Sequence, residues 1–106
     1  TYFSFSPESL KRKKLKIAIV LVHEDVRFEV WLGGYNKQVQ KKYWKLFKKS
    51  NWEKYHIPPD ITGIDSIVED VIDKDPDFGD PHALTGKIEN ITLGFIKDIE
   101  KFLSKH

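Results

Sequence analysis

Three side chains in this 106-residue chain have the types and the spacing to build a site on one surface. Arg27, Glu29 and Trp31 alternate along the run RFEVWL. Residues two apart on a β-strand project from the same face, so a guanidinium, a carboxylate and an indole would stand in a row. The charged pair supplies hydrogen bonding and the ring supplies a flat apolar platform, a combination suited to a small ligand. Tyr35 and Asn36 follow closely and His23 precedes. The candidate ligand-binding set is therefore Arg27, Glu29, Trp31, Tyr35 and Asn36. The plainer reading of the same residues is a cross-strand salt bridge and a packed Trp, and it is the favoured one.

A second constellation runs from Tyr35 to Tyr55, where lysines are interleaved with rings. Lys37, Lys41, Lys45 and Lys48 could form an anion or nucleic-acid face, with Tyr35, Tyr43, Trp44, Trp52 and Tyr55 offering stacking surfaces. On a helix, however, these aromatics fall mostly on the stripe opposite the lysines. A net charge of +2 is also modest for a nucleic-acid binder. Nucleic acid is the disfavoured partner.

Metal and catalytic readings fail on spacing. Asp73, Asp75, Asp77 and Asp80 resemble a calcium loop in composition, but the Gly and the closing Glu are missing from their positions. His23, His56, His82 and His106 show no ligand spacing between any pair. Glu29-Val30-Trp31 carries a Trp where a nuclease-like Glu-x-Lys needs its lysine. No serine sits in a nucleophile elbow, and there is no cysteine to act as nucleophile, metal ligand or disulfide partner. The sequence assigns no metal, no cofactor and no catalytic residue. Whether the protein is an enzyme stays open.

The element that must carry the first constellation is a hairpin within Leu15–Leu32. Leu15, Ile17, Ile19 and Leu21 alternate on one strand; Val26, Phe28, Val30 and Leu32 alternate on the next. A turn at Glu24-Asp25, or a four-residue loop from His23 to Val26, sets Leu21 against Phe28, Ile19 against Val30 and Ile17 against Leu32. A one-residue slip would turn one apolar set to the wrong face, so this register is strongly specified. The opposite face bears Ala18, Val20 and Val22 with Arg27, Glu29 and Trp31, half apolar and half polar.

Around the hairpin, Thr1–Ser6 reads as a strand. Ser6-Pro7 reads as a helix start, with Ser6 as N-cap and Pro7 at the first helical position. Asn36–Lys49 reads as an amphipathic helix with Val39, Tyr43, Leu46 and Phe47 on its apolar stripe. The segment 50–60 is a loop whose Trp52, Tyr55 and Ile57 pack down on the core. Residues 64–72 are ambiguous: the spacing of Ile64, Ile67, Val68, Val71 and Ile72, with a capping box from Ser66 and Glu69, leans to a helix, while their β-branching favours a strand. Asp80-Pro81 opens a long final helix to about Ser104, with a break at Gly86 allowed, lying across the aliphatic face of the hairpin.

Composition bounds the class. An apolar content of 40% in 106 residues suits one globular domain, and no apolar run approaches the ~20 residues that span a bilayer. A cytoplasmic location is the default expectation. Residues 1–50 hold twelve Lys/Arg against four Asp/Glu, and residues 51–106 hold six against twelve. This asymmetry reads either as two solvated faces or as an electrostatic dipole able to support association.

Four blocks, YFSF at Tyr2–Phe5, RFEVWL at Arg27–Leu32, VQKKYW at Val39–Trp44 and PDF at Pro76–Phe78, resemble an uncharacterised bacterial and archaeal family known only as a domain of unknown function. The resemblance spans essentially all 106 residues and implies a grouping without an activity. Members of that family carry a helical segment ahead of the YFSF block. The resemblance thus implies an internal start at Thr1 and a single domain, 1–106, lacking that segment. Its loss would leave the Val20/Val22/Trp31 face exposed or buried against a second copy.

The expected fold is α+β: an antiparallel sheet of three or more strands built on the central hairpin, packed by the lysine-rich helix and the long C-terminal helix. The expected function is a non-enzymatic binding or interaction module with an unidentified partner, a homodimer among the outcomes. The alternative is an enzyme or small-ligand binder using the Arg27/Glu29/Trp31 face.

Overall fold

In the computed structural model, which describes residues 2–106, the elements run β1 (Tyr2–Phe5), α1 (Glu8–Lys11), β2 (Leu15–Val22), β3 (Arg27–Gly34), α2 (Lys37–Lys49), β4 (Ser66–Asp73) and α3 (Pro81–Ser104). The strands form one antiparallel sheet in the order β1-β2-β3-β4. This is the α+β arrangement expected, with one strand beyond the minimum of three. Thr1 lies outside the described residues.

The hairpin forms in the register that alternation demands: Ile17 opposite Leu32, Ile19 opposite Val30, Leu21 opposite Phe28. Val22 pairs with Arg27, so the connection is the four-residue loop His23–Val26. Val26 closes it at φ +48°, left-handed geometry that a β-branched side chain adopts only under steric strain. Gly34 ends β3 for a different reason. A Cβ there would meet the backbone nitrogen of Gln40 at 2.7 Å, because the first turn of α2 crosses directly over it.

Residues 66–73 correct the lean toward a helix. They form β4, paired to β3 from Gly33↔Ser66 to Phe28↔Asp73 with register shifts at Leu32/Gly33 and Phe28/Glu29. The shifts leave Ile67 and Ile72 as extra residues without a partner on β3, as β-bulges do. Two bulges five residues apart break the period-two pattern and mimic helical spacing. Both isoleucines are buried in the core. Ser66 Oγ donates to the Glu69 side chain within this strand, in place of the reciprocal side-chain-to-backbone bonds of a capping box.

All three helices lie against one face of the sheet, where Leu10, Leu15, Ile17, Val30, Leu32, Phe47, Ile67, Val68, Phe95 and Ile99 build the core. α3 is continuous through Gly86, with Pro81 in its first turn and Asp80 Oδ1 accepting from Ala83 N at 3.2 Å. It packs mainly on β4 and, of the hairpin, on β3 rather than across both strands, while α1 covers the start of β2. α1 also departs from expectation. Pro7 occupies the N-cap position, no side chain caps the helix, and Ser6 Oγ instead accepts from Tyr35 Oη at 3.1 Å. The 50–60 loop does pack down. Trp52 and Tyr55 join Phe47, Phe95 and Phe102 in a ring cluster with centroids 4.2–5.6 Å apart.

The charge asymmetry of the chain becomes an end-to-end separation along the strands. Lys11–Lys14 and Lys37 lie where β2 begins and β3 ends, tied by the Tyr35 N to Lys14 O hydrogen bond of 2.9 Å. Glu24, Asp25, Asp73, Asp75, Asp77 and Asp80 lie at the other end, around the hairpin loop and the β4–α3 turn.

Candidate functional site

The face of the sheet opposite the helices is the candidate site. Pairing puts Ala18 with Trp31, Val20 with Glu29 and Val22 with Arg27 across β2 and β3. It continues with Glu29 against Val71 and Trp31 against Glu69 across β4. Side chains of paired residues share a face, so a mixed strip runs over three strands. Tyr2, opposite Val20, extends it onto β1.

At its centre, Glu29 is 6% exposed. Arg27 Nε donates to its Oε2 at 2.5 Å and Trp31 Nε1 donates to its Oε1 at 2.8 Å. A buried carboxylate is expensive unless both oxygens find donors; here the neighbours two residues away on the same strand supply them. Arg27 also bonds Asp25 in the hairpin loop. The hydrogen bond and charge of Glu29 push the guanidinium's pKa above its ordinary value. Arg27, Glu29 and Trp31 thus form a closed hydrogen-bonded row along one strand; the ion pair runs within β3 and does not cross strands as the plainer reading had it. Each of the carboxylate's two oxygens has a donor from its own strand.

Two shallow features adjoin this row. A cleft of about 170 Å³, lined by Tyr2, Lys16, Ala18, Val20, Trp31, Gly33 and Asp65, exposes mainly apolar atoms, with Lys16 and Asp65 both beside Gly33 at one end. A more open groove of about 330 Å³ runs along the outer edge of β4 past Arg27, Glu29, His56, Glu69, Asp70 and Val71. Burial raises the pKa of Asp70. Among the described residues, no group of three or more His, Asp or Glu comes together to hold a metal.

Tyr35 and Asn36 do not join the row. They lie beyond the far end of β3, about 26 Å from Arg27 at ~3.3 Å per residue. Tyr35 donates to Ser6, and Asn36 Oδ1 caps α2 by accepting from Val39 N at 2.9 Å. On α2, Lys37 Nζ bonds Ile64 O at 2.8 Å and lies 3.4 Å from Asp65; Lys41, Lys45 and Lys48 are exposed. Tyr43 and Phe47 are buried, and Trp44 is tethered to Pro58 O at 2.8 Å. Of the rings offered for stacking, Tyr43 is thus buried and Trp44 half-buried, while Tyr35, ahead of the helix, is exposed.

Sequence reasoning missed the Tyr55–Asp98 contact beneath the sheet. Tyr55 Oη donates to Asp98, with Lys54 Nζ 3.3 Å from the other carboxylate oxygen. Burial pushes the Tyr55 phenol well above its ordinary value, and the phenol's hydrogen bond holds the Asp98 carboxyl below the usual range. No sequence signal links residues 43 positions apart, since the pairing depends on α3 passing under the loop.

The fold and this face define a class: a four-stranded antiparallel sheet with helices on one side and an uncovered mixed face on the other. The chain belongs to the DUF7000 family, a domain of unknown function, whose sequence profile matches residues 1–103. No curated protein and no solved structure matches it. Among the described residues, no helix is long and apolar enough to cross a membrane.

Proposed function

We propose that the protein is a non-catalytic interaction module whose working surface is the helix-free sheet face. One observation supports this above the rest: the apolar and aromatic groups there, Val20, Val22, Trp31 and Val71, have no helix over them, while the buried carboxylate among them has a donor on each oxygen. A surface with apolar anchors and satisfied polar groups is suited to covering by a partner. The hydrogen bonds to Glu29 hold its carboxylate in place within that face. Ligand chemistry would use the Tyr2/Trp31 cleft, which is smaller than the ~300 Å³ of ordinary ligand pockets.

The test is capture from a lysate of the source organism by the wild-type chain and by a Val22→Lys/Val71→Lys variant with an unchanged melting curve. Proteins held by the wild type should be lost from the variant and kept by a Lys41→Glu/Lys45→Glu control. Retention by the face variant with loss from the control would move the working surface to α2.

A further inference from the structure

The two edges of the sheet are built differently. The β4 edge carries two bulges and the acidic Glu69, Asp70 and Asp73. It is partly paired by His56, which exchanges hydrogen bonds of 2.8 and 3.1 Å with Glu69. Bulges, charges and covering segments are the devices that stop a strand edge from recruiting another. Among the described residues, the β1 edge has none of them. Its sequence, YFSF, holds no charge and no proline, it pairs regularly with β2, and Tyr2 and Phe3 are 67% and 64% exposed.

We propose that the chain forms a two-fold dimer by pairing β1 antiparallel with β1 of a second copy, doubling the four-stranded sheet. The proposal uses the sheet's edge rather than its helix-free face, and stands independently of the reading above.

Two features beyond the free edge make a second copy the fitting partner. The first is register. Matching pleats require paired residues to share a face; of the registers this allows, the two that pair most of Tyr2–Phe5 set Phe3 opposite either its own copy or Phe5 of the other. In each case the exposed Phe3 ring, on the helix side with Ile19, meets another Phe.

The second is charge. β1 pairs with residues 17–20 of β2, so its midpoint is level with the middle of that strand. Lys11–Lys14 and Glu24-Asp25 lie on opposite sides of this midpoint, each roughly 15 Å away along the strand. A dyad through β1 inverts the second copy. The basic run of each copy then lies beside the acidic loop of the other, with the two β2 strands about 14 Å apart. Lysine side chains span much of that gap, and the remainder is within a Debye length. A four-residue edge makes a small interface, so the dimer is weak and reversible.

Sedimentation velocity from about 1 μM to 1 mM should show a monomer–dimer equilibrium. Added salt should weaken it. Phe3→Lys should weaken it by about tenfold or more, whereas Val71→Lys on the helix-free face should not. Because the chain has no cysteine, Phe3→Cys and Ser4→Cys each introduce a single thiol. The one on the dyad faces its own copy, and should form an intermolecular disulfide much faster than Ser104→Cys under mild oxidation. A chain that stays monomeric at the highest concentration, a dimer indifferent to Phe3→Lys, or equally slow crosslinking at all three positions would overturn the proposal.

Discussion

The hairpin that carries the candidate site is strained at Val26, and the strain can be measured. Val26 holds φ +48° with its side chain 49% exposed, so it gains little from burial to offset the left-handed backbone. That conformation costs an L-residue roughly 1–2 kcal/mol through the clash of Cβ with the following carbonyl. Val26→Gly removes the clash but gives the unfolded chain more freedom, worth about 0.5–1 kcal/mol in the opposite direction. The net expectation is a gain of about 0.5–1 kcal/mol, or about 3–6 °C in Tm for a domain of this size. Val26→Asn should gain a similar amount, since Asn tolerates the left-handed region without glycine's freedom. Glu24→Gly is the control. Glu24 has no positive φ, so the same substitution two residues earlier should be neutral or destabilising. Urea and thermal unfolding of the three variants give the answer. A loss of stability in both Val26 variants, or an equal gain at Glu24, would refute the strain argument and the four-residue loop with it.

Glycines separate in the same assays: Gly34→Ala should destabilise by several kcal/mol because its Cβ would strike α2 backbone. Gly86→Ala and Gly94→Ala meet nothing within 4 Å and should each stabilise α3 by about 1 kcal/mol. Burial raises the Asp70 pKa in the fold, so stability linked to this group is present below its unfolded value near 4 and is lost as pH rises through the folded value. Asp70→Asn should accordingly stabilise at pH 7 and have no such effect at pH 3, as chemical denaturation at the two pH values would show. Asp98 has the opposite sign: its lowered pKa contributes stability above the ordinary carboxylate value that disappears as pH falls through the folded one. Tyr55→Phe should therefore destabilise at pH 7 by about 1 kcal/mol and by less at pH 2. Thr92 Oγ1 is buried without a hydrogen-bond partner among the described residues, and Thr92→Val should raise stability by about 1 kcal/mol.

Alternation in the sequence was enough to set the hairpin register, because one slip would expose a whole apolar face; all three apolar cross-strand pairs expected of it form. The helix at 37–49 and the long helix beginning at Pro81 were equally legible from periodicity and caps. The Arg27–Glu29–Trp31 row was legible too, since residues two apart on a strand meet whatever the rest of the fold does. β4 was not. Its bulged isoleucines at 67 and 72 follow a spacing that local sequence cannot distinguish from a helix, and only the vacant edge of β3 decides for a strand. Tertiary structure also took Tyr35 and Asn36 out of the candidate site, by ending β3 at Gly34 before the chain turns into α2. It also decided which sheet face stays open. Local pattern specifies what each segment can bury, whereas the choice of partner depends on surfaces that distant segments bring together.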